Sequence, residues 1–555
     1  MQALPVDRTK LTLPYTPGTR EGSVVMRVSM RPNCTLTDDV RPGRNGSARF
    51  TQRFHPGFCC ATSTSAQKGS CLMESTTRTV QVEQVTITPV PQAARRGRAR
   101  ALFPIWFGVQ IMPLTLVTGV LGTTVYGLSA AWTIVAIATG NLIGAVFVAL
   151  HSVQGPRLGV PQMVQSRGQF GLRGSLLVLA VVVLMYVGFL ASILVLAASS
   201  LQVIFPRLGS TPALIISGTI TLLLVVFGYE MIHKVNRLLM PAFAVASIIS
   251  LTYLLMQGVS NSPAATSGQF TVHGFMGMLS VAAIWQLAYA PYVSDYSRYL
   301  PVGVSASGAF WATYLGSVAG AIPMMVIGAL LGQISDGSLK SLNALLPTGA
   351  GVFVIAVFFL GALDACTVNL YGPALCVATT IQTFKTSWLP GAGSRITIAG
   401  IVTLSSVYIA AAFSDDFLVS YSNFIQILLY FLIPWSVINL VDYYLIRKAE
   451  YDVESFFRPD GGIYGHYNTA AVVAYVIGVL VQVPFMSGNL YTGIVARRLD
   501  GVDIAWIVGT FVSFAVYYFL LMRRDGPHRD GTLRRPVPES LLLGPHYRPA
   551  TDTPS

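Results

Sequence analysis

From about residue 100 to about residue 525, the sequence alternates between long runs of apolar residues and short polar connections. Most runs are roughly 17–30 residues long, the length that an α-helix needs to cross ~30 Å of hydrocarbon. The runs are continuously apolar, which favours helices over the strands of a barrel. We predict an all-α integral membrane protein with twelve transmembrane helices, at residues 103–126, 131–153, 174–204, 213–229, 239–257, 274–293, 310–331, 351–381, 396–413, 418–446, 470–486 and 504–522.

The composition agrees with a lipid environment. The chain has 555 residues, of which 53% are hydrophobic and only 11% charged, whereas a soluble domain carries about 25% charged residues. The net charge of +13 comes from Lys and Arg in the terminal segments and loops, where they orient a membrane protein. We therefore expect a lipid bilayer and no nucleic acid as partner. The six cysteines have the spacing of neither a zinc site nor a disulfide framework.

The two ends of the chain differ from the middle. Residues 1–100 are polar, rich in Ser, Thr, Pro and Arg, and lack the apolar core of a signal peptide. We predict a disordered cytoplasmic tail there and another at residues 526–555, on either side of a transporter domain at 101–525. Met73 begins a stretch that would serve as a start site, so we hypothesise that native translation starts at Met73.

The loop charges predict the orientation. Loops after even-numbered segments carry eleven Lys and Arg, against four after odd-numbered segments, and four Arg come just before the first segment. By the positive-inside rule both termini are cytoplasmic. We expect a multi-pass protein of the plasma membrane (the inner membrane of a cell that has two).

A few ionisable residues lie where they could carry function. Asp364 is near the middle of the eighth segment, where a carboxylate could bind a cation or carry a coupling proton. It could also cap a neighbouring helix or pair with an Arg. Asp295 and Arg298, just after the sixth segment, are close enough to form an ion pair, as a gate latch or as a structural bridge.

Two prolines interrupt corresponding segments. Pro113 lies about halfway along the first segment, and Pro291 lies near the end of the sixth. Proline removes a backbone hydrogen bond and frees carbonyl groups. Interrupted helices at matching places in two halves indicate a binding site near the midplane, although prolines also occur in membrane helices for packing alone.

Three polar stretches resemble the nucleobase:cation symporter-1 family, in particular its purine-cytosine permease branch. They are QGPRLGVPQM at 154–163 with SRGQFG at 166–171, APYVSDYSRYLP at 290–301, and NLVDYYLIR at 439–447. Their order and spacing match the family, and the resemblance covers about residues 100–525. It implies a five-plus-five inverted repeat like that of the leucine and hydantoin transporters, with two extra helices.

The resemblance also implies a substrate site between helices 1, 3, 6 and 8. There a flat heterocycle stacks on aromatic rings and amides pair with its edge. The matching substrate-binding residues are Gln110, Tyr186, Phe189, Trp285, Gln286 and Asn369. The chain has Phe189 and Ile193 where the family usually has Trp and Asn, and Ala365 in place of a second amide on helix 8. Whether cytosine itself is the substrate is therefore left open.

The cation site implied by the resemblance is also altered. Sodium-coupled relatives use helix 8 hydroxyls, but the alignment on Asn369 puts Leu363 and Asp364 at those positions. We assign cation coupling to Asp364 and Thr367, and predict H⁺ as the coupling cation, with Na⁺ bound directly by the carboxylate as the alternative.

We therefore predict a secondary active transporter that imports a nucleobase such as cytosine or a purine by cation symport and alternating access. It needs no cofactor, bound metal or obligatory protein partner. The chain has only seven His and no nucleophile–base pattern, so an enzyme is not expected. One alternative is a transporter of a hydantoin, an allantoin-like ureide or a vitamin. Another is a transporter-like nutrient receptor.

Overall fold

The computed structural model describes residues 87–226, 229–261, 269–385, 388, 391–414 and 417–525. The hypothesised start at Met73, most of the predicted N-terminal tail and the predicted C-terminal tail at 526–555 lie outside these residues. Residues 87–101 form two short 3-10 turns, Gln92–Ala94 and Ala99–Ala101.

Within the described ranges the chain is helical, and its one β feature is an isolated bridge between Ser487 and Thr492. The helices, numbered in chain order, are α1 Leu102–Gly108, α2 Pro113–Thr124, α3 Ala130–Ser152, α4 Gln154–Leu158, α5 Gln162–Phe170, α6 Leu176–Ile204, α7 Ser210–Val226, α8 Tyr229–Asn261, α9 Val272–Leu287, α10 Val293–Ser297, α11 Ala306–Ile334, α12 Leu339–Leu345, α13 Thr348–Phe384, α14 Ala392–Ala412, α15 Phe417–Val441, α16 Thr469–Leu480, α17 Ile494–Arg498 and α18 Ala505–Asp525.

Every predicted apolar segment coincides with one or two of these helices. Seven helical stretches among the described residues are long and apolar enough to cross a membrane, and the bent pair α1–α2 makes up to eight. Four further segments, in α7, α8, α14 and α16, are apolar helices of 10–17 residues. The all-α membrane class is thus confirmed, and the number of twelve crossings stays a prediction.

Several helices begin where a hydroxyl residue caps the first turn. The Ser129 hydroxyl accepts the Trp132 N–H at 3.4 Å at the start of α3, and the Thr271 hydroxyl accepts the Gly274 N–H at 3.1 Å at the start of α9. Such caps satisfy backbone N–H groups that have no partner within the helix. Polar residues in the loops therefore determine where the apolar runs become helical.

The first and sixth predicted segments are both interrupted. α1 and α2 are bent by 62° at a short break, and Pro113 is the first residue of α2. A proline at this position costs no hydrogen bond, because the first N–H groups of a helix are unpaired in any case. After α9, a 3-10 turn at Ala290–Tyr292 contains Pro291 and leads into α10.

Pairs of glycines four residues apart bring two pairs of helices close together. A Cβ at Gly140 or Gly144 on α3 would overlap the backbone of α9, and one at Gly316 or Gly320 on α11 would overlap that of α1. Small residues at this spacing let membrane helices approach closely. The broken segments are thereby packed tightly onto α3 and α11, while α6 packs along α13 on the other side.

Candidate functional site

A small cavity lies where the two broken segments meet α6 and α13. Its volume of about 10 Å³ is room for about one water molecule. The lining residues come from the α1–α2 break, α6, α9 with its following turn, and α13: Met112, Phe189, Ile193, Trp285, Ala288, Tyr289, Tyr292 and Asn369. These elements are the first, third, sixth and eighth predicted segments.

Aromatic rings form one wall of the cavity. Phe189 and Trp285 meet edge to face with centroids 6.2 Å apart, and Trp285 meets Tyr289 in the same way at 6.0 Å. Tyr289 and Tyr292 follow at 5.7 Å, and Tyr292 contacts Tyr186 at 5.2 Å. This row of contiguous rings can take up a flat heterocycle by stacking or by edge contacts.

Asn369 contributes an unpaired polar atom to this apolar surrounding. The side chain is 4% exposed, and its Nδ2 donates to the Ala365 carbonyl, one turn earlier on α13, at 2.9 Å. Among the described residues its Oδ1 has no hydrogen-bond partner, although it is buried. A buried acceptor without a partner is costly, so this atom favours a ligand that brings an N–H or O–H donor.

Gln110 lies just behind the aromatic wall. Its Oε1 accepts the indole N–H of Trp285 at 2.6 Å and the hydroxyl of Tyr289 at 3.4 Å. Its Nε2 donates to the Ser317 hydroxyl on α11 at 3.1 Å. Gln110 therefore holds two lining residues and does not itself line the cavity.

Gln286 is placed away from the cavity. It is fully buried, its Nε2 donates to Asn141 Oδ1 on α3 at 2.7 Å, and its Oε1 accepts the Ser317 hydroxyl. Successive helical residues point about 100° apart. Because Trp285 faces the cavity, the next side chain faces α3 and α11.

Tyr186 and two further tyrosines complete the wall. The Tyr186 ring lies behind Tyr292 and against Gly372, where a Cβ would overlap it. Its hydroxyl is buried and has no hydrogen-bond partner among the described residues. Tyr289 and Tyr292 were not predicted. They follow the end of α9 at Leu287, and their spacing of four and seven residues after Trp285 is the pattern in the sequence that could have identified them.

The residues assigned to cation coupling lie beside the break. Asp364 on α13 is 4% exposed. Gly361, one turn earlier on the same side of α13, is so close to the break that a Cβ there would overlap the Ile111 carbonyl oxygen. The Thr367 hydroxyl donates to the backbone carbonyl of Asp364 at 2.6 Å. Among the described residues, no group of three or more His, Cys, Asp or Glu side chains could hold a metal ion.

Asp295 and Arg298 lie on α10 and just after it, at the end of the bundle where the three family-like stretches meet, here called the motif end. The Asp295 carboxylate accepts the Gln162 N–H at 2.8 Å. Arg298 Nε donates to the Asp295 backbone oxygen at 3.3 Å, and its Nη2 donates to the Tyr371 hydroxyl on α13 at 3.3 Å. These contacts join α10 to α5 and to α13.

Buried amides connect the stretches with one another. Each amide nitrogen donates to the next side chain at 2.7–3.2 Å, in the order Gln162, Gln154, Asn439, Gln169 and Tyr451. The hydroxyl of Tyr451 then donates to the Asp442 carboxylate at 2.5 Å. Asp442 is fully buried in a π-helical turn at the end of α15, and it also pairs with Arg447 at 3.1 Å and accepts the Tyr517 hydroxyl at 2.8 Å.

Arg167 fixes α13 at the same end. The side chain is 1% exposed, and its two terminal nitrogens donate to four oxygens, of Thr379, Gln382, Thr383 and Phe456, at 2.8–3.2 Å. Burial lowers the pKa of Arg167 to about 10, so the guanidinium stays charged at neutral pH. The carbonyl oxygens near the carboxyl end of α13 are suited to hold a cation.

The chain resembles known permeases over most of its length. The family model described as permease for cytosine/purines, uracil, thiamine, allantoin matches residues 89–509. The Bacillus subtilis protein named "Putative purine-cytosine permease YxlA" is 39% identical over 449 residues, which cover 80% of this chain and 97% of the relative. The purine-cytosine permease fcyB of Emericella nidulans is 25% identical and covers 80% of this chain, with 89% of its own length matched.

Solved structures show the same fold. Mhp1, a nucleobase-cation-symport-1 family transporter solved in a closed conformation with bromovinylhydantoin bound, superposes with a TM-score of 0.65 at 18% identity, over 80% of this chain and 97% of that one. A Na⁺-coupled sialic acid symporter superposes with a TM-score of 0.52 at 13% identity, over 77% and 90% of the two chains.

Proposed function

Because the chain belongs to the family of permeases for cytosine/purines, uracil, thiamine and allantoin, we propose that it imports a nucleobase by proton symport, with the ring bound at the cavity. Membership of the nucleobase:cation symporter-1 family, predicted from three polar stretches, is confirmed. The protein is a multi-pass membrane transporter and not an enzyme.

The unpaired Oδ1 of Asn369 is the observation that supports this proposal most strongly. In the proposed complex, a ring N–H or exocyclic amino group of the base donates to this oxygen, which removes the cost of leaving it unpaired. The base stacks against Phe189 and Trp285, while Tyr186 and Gln110 support the wall from behind. Gln286 is proposed to act through Ser317 rather than by contact with the substrate.

The cavity is much smaller than a nucleobase, so binding requires a more open arrangement. We propose twelve spans, as a five-plus-five inverted repeat with two extra helices, in which one group of helices rocks against the other. The breaks at Pro113 and Pro291 support this, because they occur in the first and sixth segments, the corresponding members of the two halves. Asp295 and Arg298 at the motif end are proposed to close that end. Both termini are proposed to lie in the cytoplasm and the protein in the plasma membrane.

Asp364 is proposed to carry the coupling proton. Asp364 is buried on α13, one turn after Gly361, which packs against the Ile111 carbonyl of the broken segment. This position supports a role for its carboxylate in the movement that would open the site. Protonation and substrate binding would then favour the same conformation, and this reciprocal linkage couples the two fluxes. Coupling to Na⁺ through Asp364 and backbone carbonyls is the competing proposal.

A second candidate substrate class is a hydantoin or an allantoin-like ureide. The hydantoin permease of Microbacterium maritypicum is 24% identical over 459 residues, and such rings also carry N–H donors for Asn369. A nutrient receptor would bind the same ligands without accumulating them.

Binding-induced thermal stabilisation of the purified protein tests the proposed function. The ligands are cytosine, adenine, uracil, hydantoin and allantoin, each with and without Na⁺ and between pH 5 and 8. We expect stabilisation by a nucleobase that increases at low pH and does not need Na⁺. Asn369→Ala should remove it, while Asn423→Ala, which deletes another amide with an unpaired buried oxygen outside the cavity lining, should not. Stabilisation only by hydantoin or allantoin, or only with Na⁺, would contradict the proposal.

A further inference from the structure

We propose that Asn141, Gln286 and Ser317 form a positioning network that fixes the orientation of the Gln110 amide. The Gln110 oxygen then accepts hydrogen bonds from Trp285 and Tyr289. The substrate edge is left to form its hydrogen bond with Asn369. The inference rests on the proposed function. It explains why an N–H donor on the ring is needed: the network keeps the Gln110 oxygen occupied, so that Asn369 Oδ1 is the acceptor left for the substrate.

The network joins four helical segments inside the bundle. Asn141 is on α3, Gln286 on α9, Ser317 on α11, and Gln110 in the break between α1 and α2; all four side chains are fully buried. Asn141 and Ser317 each follow the first glycine of a closely packed glycine pair. The close helix approach puts these short polar side chains within hydrogen-bond distance of the two glutamines.

The donor and the acceptor of every hydrogen bond in the network are determined by the backbone carbonyl at its Asn141 end. The Ile137 carbonyl can only accept, and it takes the Nδ2 of Asn141 at 2.9 Å, so the Asn141 oxygen must face Gln286. That oxygen accepts the Gln286 amide nitrogen at 2.7 Å, which turns the Gln286 oxygen toward the Ser317 hydroxyl.

The same direction continues to the cavity wall. The Ser317 hydroxyl donates its proton to Gln286 and so accepts from Gln110 Nε2 at 3.1 Å. The Gln110 oxygen is thereby turned toward the wall, where it accepts the indole N–H of Trp285 at 2.6 Å. The indole N–H and the Tyr289 hydroxyl therefore both donate to Gln110 and are not available to a substrate. The Asn369 oxygen has no hydrogen-bond partner among the described residues and can accept one from the substrate.

Removal of the Ser317 hydroxyl should release this arrangement. In Ser317→Ala the Gln110 Nε2 loses its acceptor, and only the Trp285 indole N–H and the Tyr289 hydroxyl still hold the amide. The side chain can then shift, and its hydrogen bond to Trp285 weakens. The indole N–H then becomes available to a substrate acceptor. Ser317→Thr keeps the hydroxyl and should keep the arrangement. Thr313→Val is the matched control, since Thr313 is a fully buried residue one turn earlier on α11 whose hydroxyl has no hydrogen-bond partner among the described residues.

The first measurement reads the network without any substrate. The full chain is labelled with ¹⁵N-tryptophan in lipid nanodiscs, and Trp285→Phe assigns the indole resonance of Trp285 among the seven tryptophans. We expect this resonance to move toward the position of a weakly bonded indole in Ser317→Ala and in Gln286→Met, and to stay in place in Ser317→Thr and Thr313→Val. An unmoved resonance in both network variants overturns the proposal, and Gln286→Met still tests it if Ser317→Ala does not fold.

The second measurement reads selectivity. Dissociation constants are compared for cytosine, adenine and uracil and for 1-methylcytosine, 9-methyladenine and 1-methyluracil. Methylation removes the ring N–H at N1 or N9, and where this N–H is the donor to Asn369 the methylated ring should bind the wild type about tenfold more weakly. In Ser317→Ala this ratio should fall by at least about threefold, but not in Thr313→Val. An unchanged ratio in Ser317→Ala contradicts the selectivity claim. If the wild type binds none of the parent bases, the proposed function is wrong. The indole resonance of Trp285 then still tests whether the network orients Gln110.

Discussion

The cavity and the motif end differ in how their polar groups are used. At the cavity, rings from α6 and α9 surround a buried amide oxygen with no partner among the described residues. At the motif end, each buried amide donates a hydrogen bond to the next side chain in a series that ends at Asp442. Of the residues that line the cavity, one, Tyr292, belongs to a family-like stretch.

The residues by which the family is recognised therefore differ from the residues proposed to bind the substrate. The stretches that carry the resemblance connect α5, α10, α13 and α15 and hold these elements in place. The N-terminal segment adds to them: Val90 N–H donates to the Gly159 carbonyl, and the guanidinium of Arg95 to the Pro156 carbonyl, both at 2.9 Å. We infer that these contacts serve the fold, whereas selectivity depends on lining residues that, apart from Tyr292, lie outside the family-like stretches.

The largest effect is expected at Asp364. Asp364→Asn cannot release a proton, so we expect loss of substrate accumulation against a gradient while exchange of labelled for unlabelled substrate continues. Uptake into proteoliposomes with and without an inward proton gradient measures both. Asp336→Asn, a change at an exposed loop carboxylate, is the control. Full accumulation by Asp364→Asn would remove this residue from the coupling mechanism.

Arg167→Met should affect the fold and leave the binding site largely intact. The substitution removes the donor to three oxygens near the end of α13 and to the Phe456 carbonyl, and disruption of such a buried charged network costs about 3–5 kcal/mol. We expect a markedly lower melting temperature with a dissociation constant within about threefold of the wild-type value. Arg173→Met is the control, because Arg173 is a nearby arginine with an exposed side chain. If Arg167→Met has normal stability but no longer binds substrate, the motif end takes part in binding and is not only structural.

Asn369→Ala should weaken substrate binding and leave the stability of the fold intact, the opposite of Arg167→Met. The lost hydrogen bond to the substrate, worth about 1–3 kcal/mol, should weaken binding by roughly 5–150-fold. The melting temperature without ligand should stay the same or rise, because an unpaired buried oxygen is removed. Calorimetric titration and thermal unfolding of the same sample give both values, and unchanged affinity would exclude Asn369 as the reader of the substrate.

Phe189→Leu is expected to have the smallest effect. An edge-to-face aromatic contact contributes about 0.5–1.5 kcal/mol beyond the buried area, so affinity should fall by roughly two- to tenfold. Phe189→Trp, which keeps an aromatic ring there, should retain or improve binding. A loss as large as that of Asn369→Ala would mean that ring contact, and not the amide, carries the recognition.

The sequence was sufficient for the helices and for part of the site. Apolar runs predicted where the helices lie, and Pro113 predicted the break in the first segment, since both effects are local in the chain. Trp285, Phe189 and Asn369 were predicted and line the cavity. The orientation of Gln286 could not be predicted, because the side of α9 that faces the cavity depends on packing. The pairing of Gln110 with Ser317 joins residues 207 positions apart, and no local pattern identifies such a partner.

Uptake of labelled nucleobases into sodium-free proteoliposomes under an inward proton gradient tests the central claim most directly. We expect the wild-type protein to accumulate cytosine, adenine or uracil above the external concentration, and dissipation of the gradient to abolish this. At a base concentration near the wild-type dissociation constant, Asn369→Ala should accumulate much less of the base than Asn423→Ala. No accumulation of any nucleobase, or accumulation that follows a sodium gradient and ignores pH, would contradict it.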